Sequence, residues 1–213
     1  MWSRVRGLWL IWWCFFVLLM AFLISWSSVQ HTSPYVAPSL FLKGKETFFS
    51  FYLPALYGHI ATSGIILLLG LVSLLQLVRE KWMTVHRWAG KIYVALILFV
   101  SAPCGLVMAG CATGGWGVKT CFIVLSVLWW WFTKKAWQSI KEGNVSAHQF
   151  FMWRSYALTL SAVTLRWYSF LAAYFLQWRG ADVYVWLAWG SWVPNLLLVE
   201  WCIQKKMHAS NQG

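Results

Sequence analysis

The stretch His148-Gln-Phe-Phe-Met-Trp-Arg-Ser-Tyr-Ala-Leu-Thr-Leu-Ser-Ala-Val-Thr-Leu-Arg166 decides the reading of this chain. It opens a hydrophobic span with a histidine and sets an arginine deep inside it. At helical spacing His148, Met152, Ser155, Thr159, Ala162, Arg166, Ser169 and Ala173 share one stripe. Phe150, Phe151, Trp153, Leu158, Leu160, Leu165, Trp167 and Leu171 fill the other faces. A helix in lipid cannot cheaply aim a guanidinium at acyl chains. The stripe must face other helices or a water-filled cavity. The expectation is a membrane protein with a polar interior.

The rest of the chain agrees. Of 213 residues, 61% are hydrophobic and 10% charged, too little polar surface for a soluble domain. The 19 tryptophans suit two aromatic belts. Six segments reach the length of a span, about 20 apolar residues. They are approximately 8–28, 51–78, 91–110, 116–133, 151–176 and 183–203. The predicted fold is therefore all-α, a six-span transmembrane helix bundle forming one integral membrane domain over 1–213. The run from Leu8 to Ile24 is longer than a signal-peptide h-region of roughly 7–15 residues, so it reads as a retained span. Pro194 is expected to kink the sixth span and free the Gly190 carbonyl.

Basic residues orient the bundle. With the N-terminus inside, the inner segments hold Arg4, Arg6, Arg79, Lys81, Arg87, Lys91, Lys134, Lys135, Lys141, Arg154, Lys205 and Lys206. The outer segments hold only Lys43, Lys45, Lys119 and Arg179. This bias predicts both termini in the cytoplasm and the Val29–Ser50 segment outside. The net charge of +12 follows from it. No soluble basic domain exists, so nucleic acid is not an expected partner; the lipid bilayer is. Cys111 and Cys121 flank a short outer turn, where an oxidising exterior permits a disulfide, but two unpaired thiols are the favoured reading.

Three histidines sit in or at the edge of spans. His86 and His148 lie at the inner ends of the third and fifth. Gly90 is one turn from His86, which lets a flat ligand approach the backbone. Arg87, Lys91 and Arg154 supply cations for propionate or phosphate. Two imidazoles at one depth on facing helices are what bis-histidine ligation of haem b requires, and Met152 is an alternative axial ligand. The pair could also bind a metal ion, but a third protein ligand is missing at that level. The bland reading is that both histidines cap helices at the interface.

His59 lies in the second span on a face with Ser63, Ile66, Gly70 and Ser73. Arg166 lies about 24 Å from the inner end of its span, and His59 about 12 Å below the outer end of its own. The two share a depth in the outer half. No acidic residue is there for Arg166, so it needs carbonyls, the hydroxyls of Thr62, Ser63 or Ser169, water, or an anionic ligand. Glu200 is the partner expected for Arg154.

These residues also carry a resemblance. His59 with Gly70, the exit Gln76 to Arg79, His86-Arg-Trp-Ala-Gly-Lys-Ile-Tyr93, and the His148 to Arg166 motif resemble a bacterial family of predicted membrane proteins, domain-of-unknown-function family 2306. The resemblance runs from about Leu53 to the end of the fifth span. It implies a multi-span protein of the bacterial inner membrane and no established activity. A looser resemblance links His86 and His148 to cytochrome b561-like haem bundles. The fourth span has no histidine, so His59 lacks a histidine partner for a second haem. Three readings follow. One is a one-haem b-type redox protein serving a quinone or another redox partner. Another is a small transporter or sensor using His59, Ser63 and Arg166 for anion or proton handling. The third is a structural or assembly subunit. The sequence does not decide whether the protein is an enzyme.

Overall fold

The computed structural model describes residues 49–177 and 181–211, together with Leu19. The expected first span (8–28) and nearly all of the expected outer segment lie outside these residues. Among the described residues all regular structure is helical, as expected. Helix α1 (Phe49–Leu74) runs to a basic turn, α2 (Gln76–Lys81). The chain returns through α3 (Met83–Leu96), a π-helical segment (Ile97–Ser101) and α4 (Ala102–Gly110). A turn through Gly114, held at φ 107°, starts α5 (Gly115–Lys141). Asn144 then caps α6 (Val145–Thr159), its side chain accepting from the Ala147 N–H at 2.9 Å. Helices α7 (Ser161–Tyr174), α8 (Ala181–Gly190) and α9 (Val193–Asn211) complete the chain.

The π segment has a readable cause. Pro103 has no N–H, so in the π register the Leu98 carbonyl, five residues back, loses its donor. The Trp130 indole on α5 donates to that carbonyl at 3.2 Å. A break in one helix is thus satisfied from its neighbour, and it places Ser101 against α1.

Among the described residues three helices are long and apolar enough to cross a membrane: Ser50–Leu74, Met83–Gly110 and Gly115–Lys141. The expected fifth and sixth spans are each two helices. At Leu160 the carbonyl accepts from the Val163 and Thr164 N–H groups and from the Thr164 hydroxyl. Asn195 of α9 bridges that break, donating to Thr164 Oγ1 at 3.0 Å and to the Ser191 carbonyl at 3.0 Å. The break at Ser191–Trp192 falls just before Pro194, in the first turn of α9, where proline is tolerated. Several boundaries also shift: α1 stops at Leu74, α6 begins at Val145 and α9 runs to Asn211. Helix α3 begins at Met83 and α5 continues to Lys141, because helices run on through residues that hydropathy alone would exclude. Lys134, Lys135 and Lys141 lie over the rings of Trp130, Trp131 and Trp137, their cations at one end of the apolar stretch.

The distribution of side chains is that of a membrane bundle. Phe99, Trp116 and Trp186 are highly exposed. Ser101, Thr133, Ser155 and Ser191 are fully buried. Burying a hydroxyl is tolerable only with a partner. Two of these hydroxyls, Thr133 and Ser155, meet in one place.

Candidate functional site

The centre of the bundle is a cluster of hydroxyls around Tyr93. Its phenol oxygen lies 2.9 Å from Ser155 Oγ and 2.9 Å from Thr159 Oγ1. Ser155 also meets Thr133 Oγ1 at 2.7 Å. The Trp129 indole donates to Thr159 Oγ1 at 3.0 Å. Thr159 and Thr133 donate onward to the Ser155 and Trp129 carbonyls. Five hydrogens serve these six contacts, so one hydrogen is always shared. Gly70 makes room for the cluster. A Cβ there would lie 2.5 Å from the Tyr156 ring and 2.8 Å from that of Tyr93.

This cluster sets the positions of His86 and His148. Tyr93 is seven residues after His86 on α3, and Ser155 is seven after His148 on α6. Both helices run away from the basic end, where the lysines of α5 and α9 lie. Seven residues are two turns, about 10 Å, and return to nearly the same face. The contact between Tyr93 and Ser155 thus lies two turns from His86 along α3 and two turns from His148 along α6. His86 Nδ1 lies 3.1 Å from the Ser73 carbonyl of α1, and His148 Nδ1 lies 2.9 Å from the Ala136 carbonyl of α5. A carbonyl only accepts, so each Nδ1 carries the hydrogen. In the neutral ring Nε2 then keeps its lone pair, the arrangement found behind ligating histidines. A Cβ on Gly90 would meet nothing within 4 Å, so space is open beside the α3 backbone one turn from His86. Among the described residues no group of three or more His, Cys, Asp or Glu side chains could hold a metal ion.

The cations separate. Arg87 and Lys91 are exposed on α3, with Lys91 over the Trp88 ring. Arg154 turns to α9 instead. Its Nε and Nη2 donate to the two Glu200 oxygens, Nη2 at 2.8 Å, and it also lies against Phe151. This is the expected Glu200 pair, and any anion near His148 would compete with that carboxylate for Arg154. Met152 is buried in the core one turn from His148.

Toward the opposite end, His59 Nδ1 lies 2.8 Å from the Ser101 carbonyl, which the π segment presents to α1. The ring stands edge-on to Trp129, 6.5 Å between centroids. A Cβ on Gly105 would approach the His59 ring to 3.3 Å, so the small residue permits the close fit. Ser63 and Thr62 donate within their own helix, to the His59 and Gly58 carbonyls. The hydrogen bond of Arg166 goes elsewhere. That guanidinium, exposed on α7, donates to the Ala162 carbonyl of its own helix at 3.1 Å. The expected stripe holds through Met152, Ser155 and Thr159 and then leaves the interior, because the break at Leu160 rotates α7. The Arg166 charge still reaches His59 and Tyr184 electrostatically. Cys111 and Cys121 are free thiols, and buried Cys121 accepts from the Trp192 indole at 3.2 Å.

Trp129 and Thr133 have no place in the sequence reading. The signal for them was present: Ser126, Trp129, Thr133 and Ala136 recur at spacings of three and four on an otherwise apolar helix, and all are buried.

The chain matches the family described as predicted membrane protein (DUF2306) over residues 56–203, and it belongs to that family. No curated protein and no solved structure matches it.

Proposed function

We propose that this member of the family is a six-span protein of the bacterial inner membrane, with both termini cytoplasmic. In this reading it holds one haem b between His86 and His148 near the cytoplasmic side. The observation that carries the proposal is the matched register of α3 and α6. One buried contact, Tyr93 to Ser155, lies two turns from each histidine along its own helix, which supports a shared level for the two rings. Each ring is fixed through Nδ1 and keeps Nε2 for a ligand. The open side of Gly90 favours a flat ligand over a compact ion. Arg87 and Lys91, exposed on the helix that carries His86, are cations for propionates.

Haem would supply one-electron chemistry, exchanged with a quinone or another redox partner at the membrane. The chain would supply the axial nitrogens, a fixed ring orientation and an apolar wall that excludes water. The test is the absorption spectrum of protein purified after expression with ample haem. A Soret band lost in both His86→Ala and His148→Ala supports the proposal. A colourless wild-type protein defeats it.

A second reading rests on a separate observation. Arg166 has no carboxylate partner among the described residues, and its charge reaches His59. This favours a small transporter or sensor that handles an anion or protons there. Uptake or retention of an anion that is lost in Arg166→Leu, in a colourless protein, would support it. Loss of neither property leaves a structural or assembly subunit.

A further inference from the structure

Two buried donors at the basic end have no partner. Ser73, near the end of α1, is 3% exposed, and its hydroxyl bonds nothing. Arg79, on α2, has an Nε shielded from solvent with no acceptor. The Ser73 carbonyl is the acceptor of His86 Nδ1, and Arg79 follows in the adjoining helix, its backbone N–H bonded to the Leu75 carbonyl. Buried donors without acceptors are rare in folded proteins. The nearest carboxylate in sequence, Glu80, takes a hydrogen bond from Gln76 instead. The one ion pair among the described residues is Arg154–Glu200. The missing partner is therefore an acceptor that the described chain does not provide, and beside Arg79 negative charge is favoured.

We propose that Ser73 and Arg79 form a binding site for a phosphate-class anion at the basic end of the bundle. Depth favours phosphate. Here the chain leaves the apolar span, and Lys91 of the neighbouring helix lies over Trp88, the pairing expected at lipid headgroups. An arginine fork suits phosphate oxygens, and a serine hydroxyl can donate to a further one. Two sources carry this chemistry, an anionic phospholipid and free phosphate. The proposal uses neither His86 Nε2 nor His148 Nε2, so it stands apart from the haem reading.

Two probes separate the sources. One is binding of phosphatidylglycerol, scored by native mass spectrometry in detergent against phosphatidylcholine. The other is inorganic phosphate, scored as the rise in melting temperature against equal ionic strength of chloride. Wild-type protein should respond to at least one probe. Arg79→Gln should weaken that response about tenfold, the size of one lost charge-assisted hydrogen bond. Ser73→Ala should weaken it less. Arg79→Lys keeps the charge without the fork and should fall between wild type and Arg79→Gln, which covers the case of a poorly folded Arg79→Gln. Lys141→Gln, exposed at the basic end of α5, should change little. The proposal is overturned if neither probe binds, if Arg79→Gln binds as wild type does, or if Lys141→Gln loses as much. Haem absorbance, read on the same samples, reports separately on His86 and His148.

Discussion

The phenol oxygen of Tyr93 lies 2.9 Å from the Ser155 hydroxyl, and this contact joins two helices whose histidines stand two turns away. Tyr93→Phe removes the hub and leaves Ser155 and Thr159 with fewer partners. We expect a loss of about 1–2 kcal/mol, scored by denaturant or thermal unfolding in detergent. Ser155→Ala should lose a similar amount, and the double variant less than the sum, because both remove the same contact. Strict additivity would show that the contact carries no coupling.

Gly70 and Gly90 should respond oppositely to a methyl group. Gly70→Ala drives a Cβ toward the Tyr156 and Tyr93 rings and should destabilise by about 1–3 kcal/mol. Gly90→Ala meets nothing and gains helix propensity, so its stability should hold or rise by up to about 1 kcal/mol. In the haem reading Gly90→Ala should still reduce cofactor retention. Equal melting temperatures for the two variants would contradict the packing.

Arg154 and Glu200 form a partly exposed bidentate pair between α6 and α9. Solvent screening limits its worth. Arg154→Lys keeps the charge but not the fork, and should cost about 1 kcal/mol or less. Glu200→Gln should weaken the α6–α9 association further, seen as earlier proteolysis of the C-terminal helix. Unchanged proteolysis would place the stability of α9 elsewhere, with Asn195.

Topology is the simplest expectation to check. Reporter fusions at both termini should score cytoplasmic, following the excess of lysine and arginine at one end. An external terminus would reverse the assignment of the basic end and with it the side on which His86 and His148 lie.

Much of this was legible in the sequence, for physical reasons. Membrane helices announce themselves by length and apolarity, and inward faces by small and polar residues at helical spacing. Ser155, Thr159, Ile66 and Ser73 were placed on polar or small-residue faces and are buried. Arg154 was matched to Glu200, and they pair. The breaks were less legible. Pro194 marks one, but the break at Leu160 has no proline; it depends on Thr164 and on Asn195 from a helix thirty-odd residues later in sequence. That break turned the stripe and left Arg166 exposed. The π segment was also hidden, since its cost is met by Trp130 across the bundle. Local pattern records what a helix wants to bury; it does not record which neighbour repairs a broken turn.

The central claim is that His86 and His148 present Nε2 to one shared ligand, and absorption spectroscopy tests it most directly. Protein purified from haem-replete cells should show a Soret band with low-spin features, and His86→Ala and His148→Ala should each abolish it while remaining in the membrane. His59→Ala should keep the band. A wild-type protein without Soret absorbance, or a band that survives loss of either His86 or His148, would contradict the account.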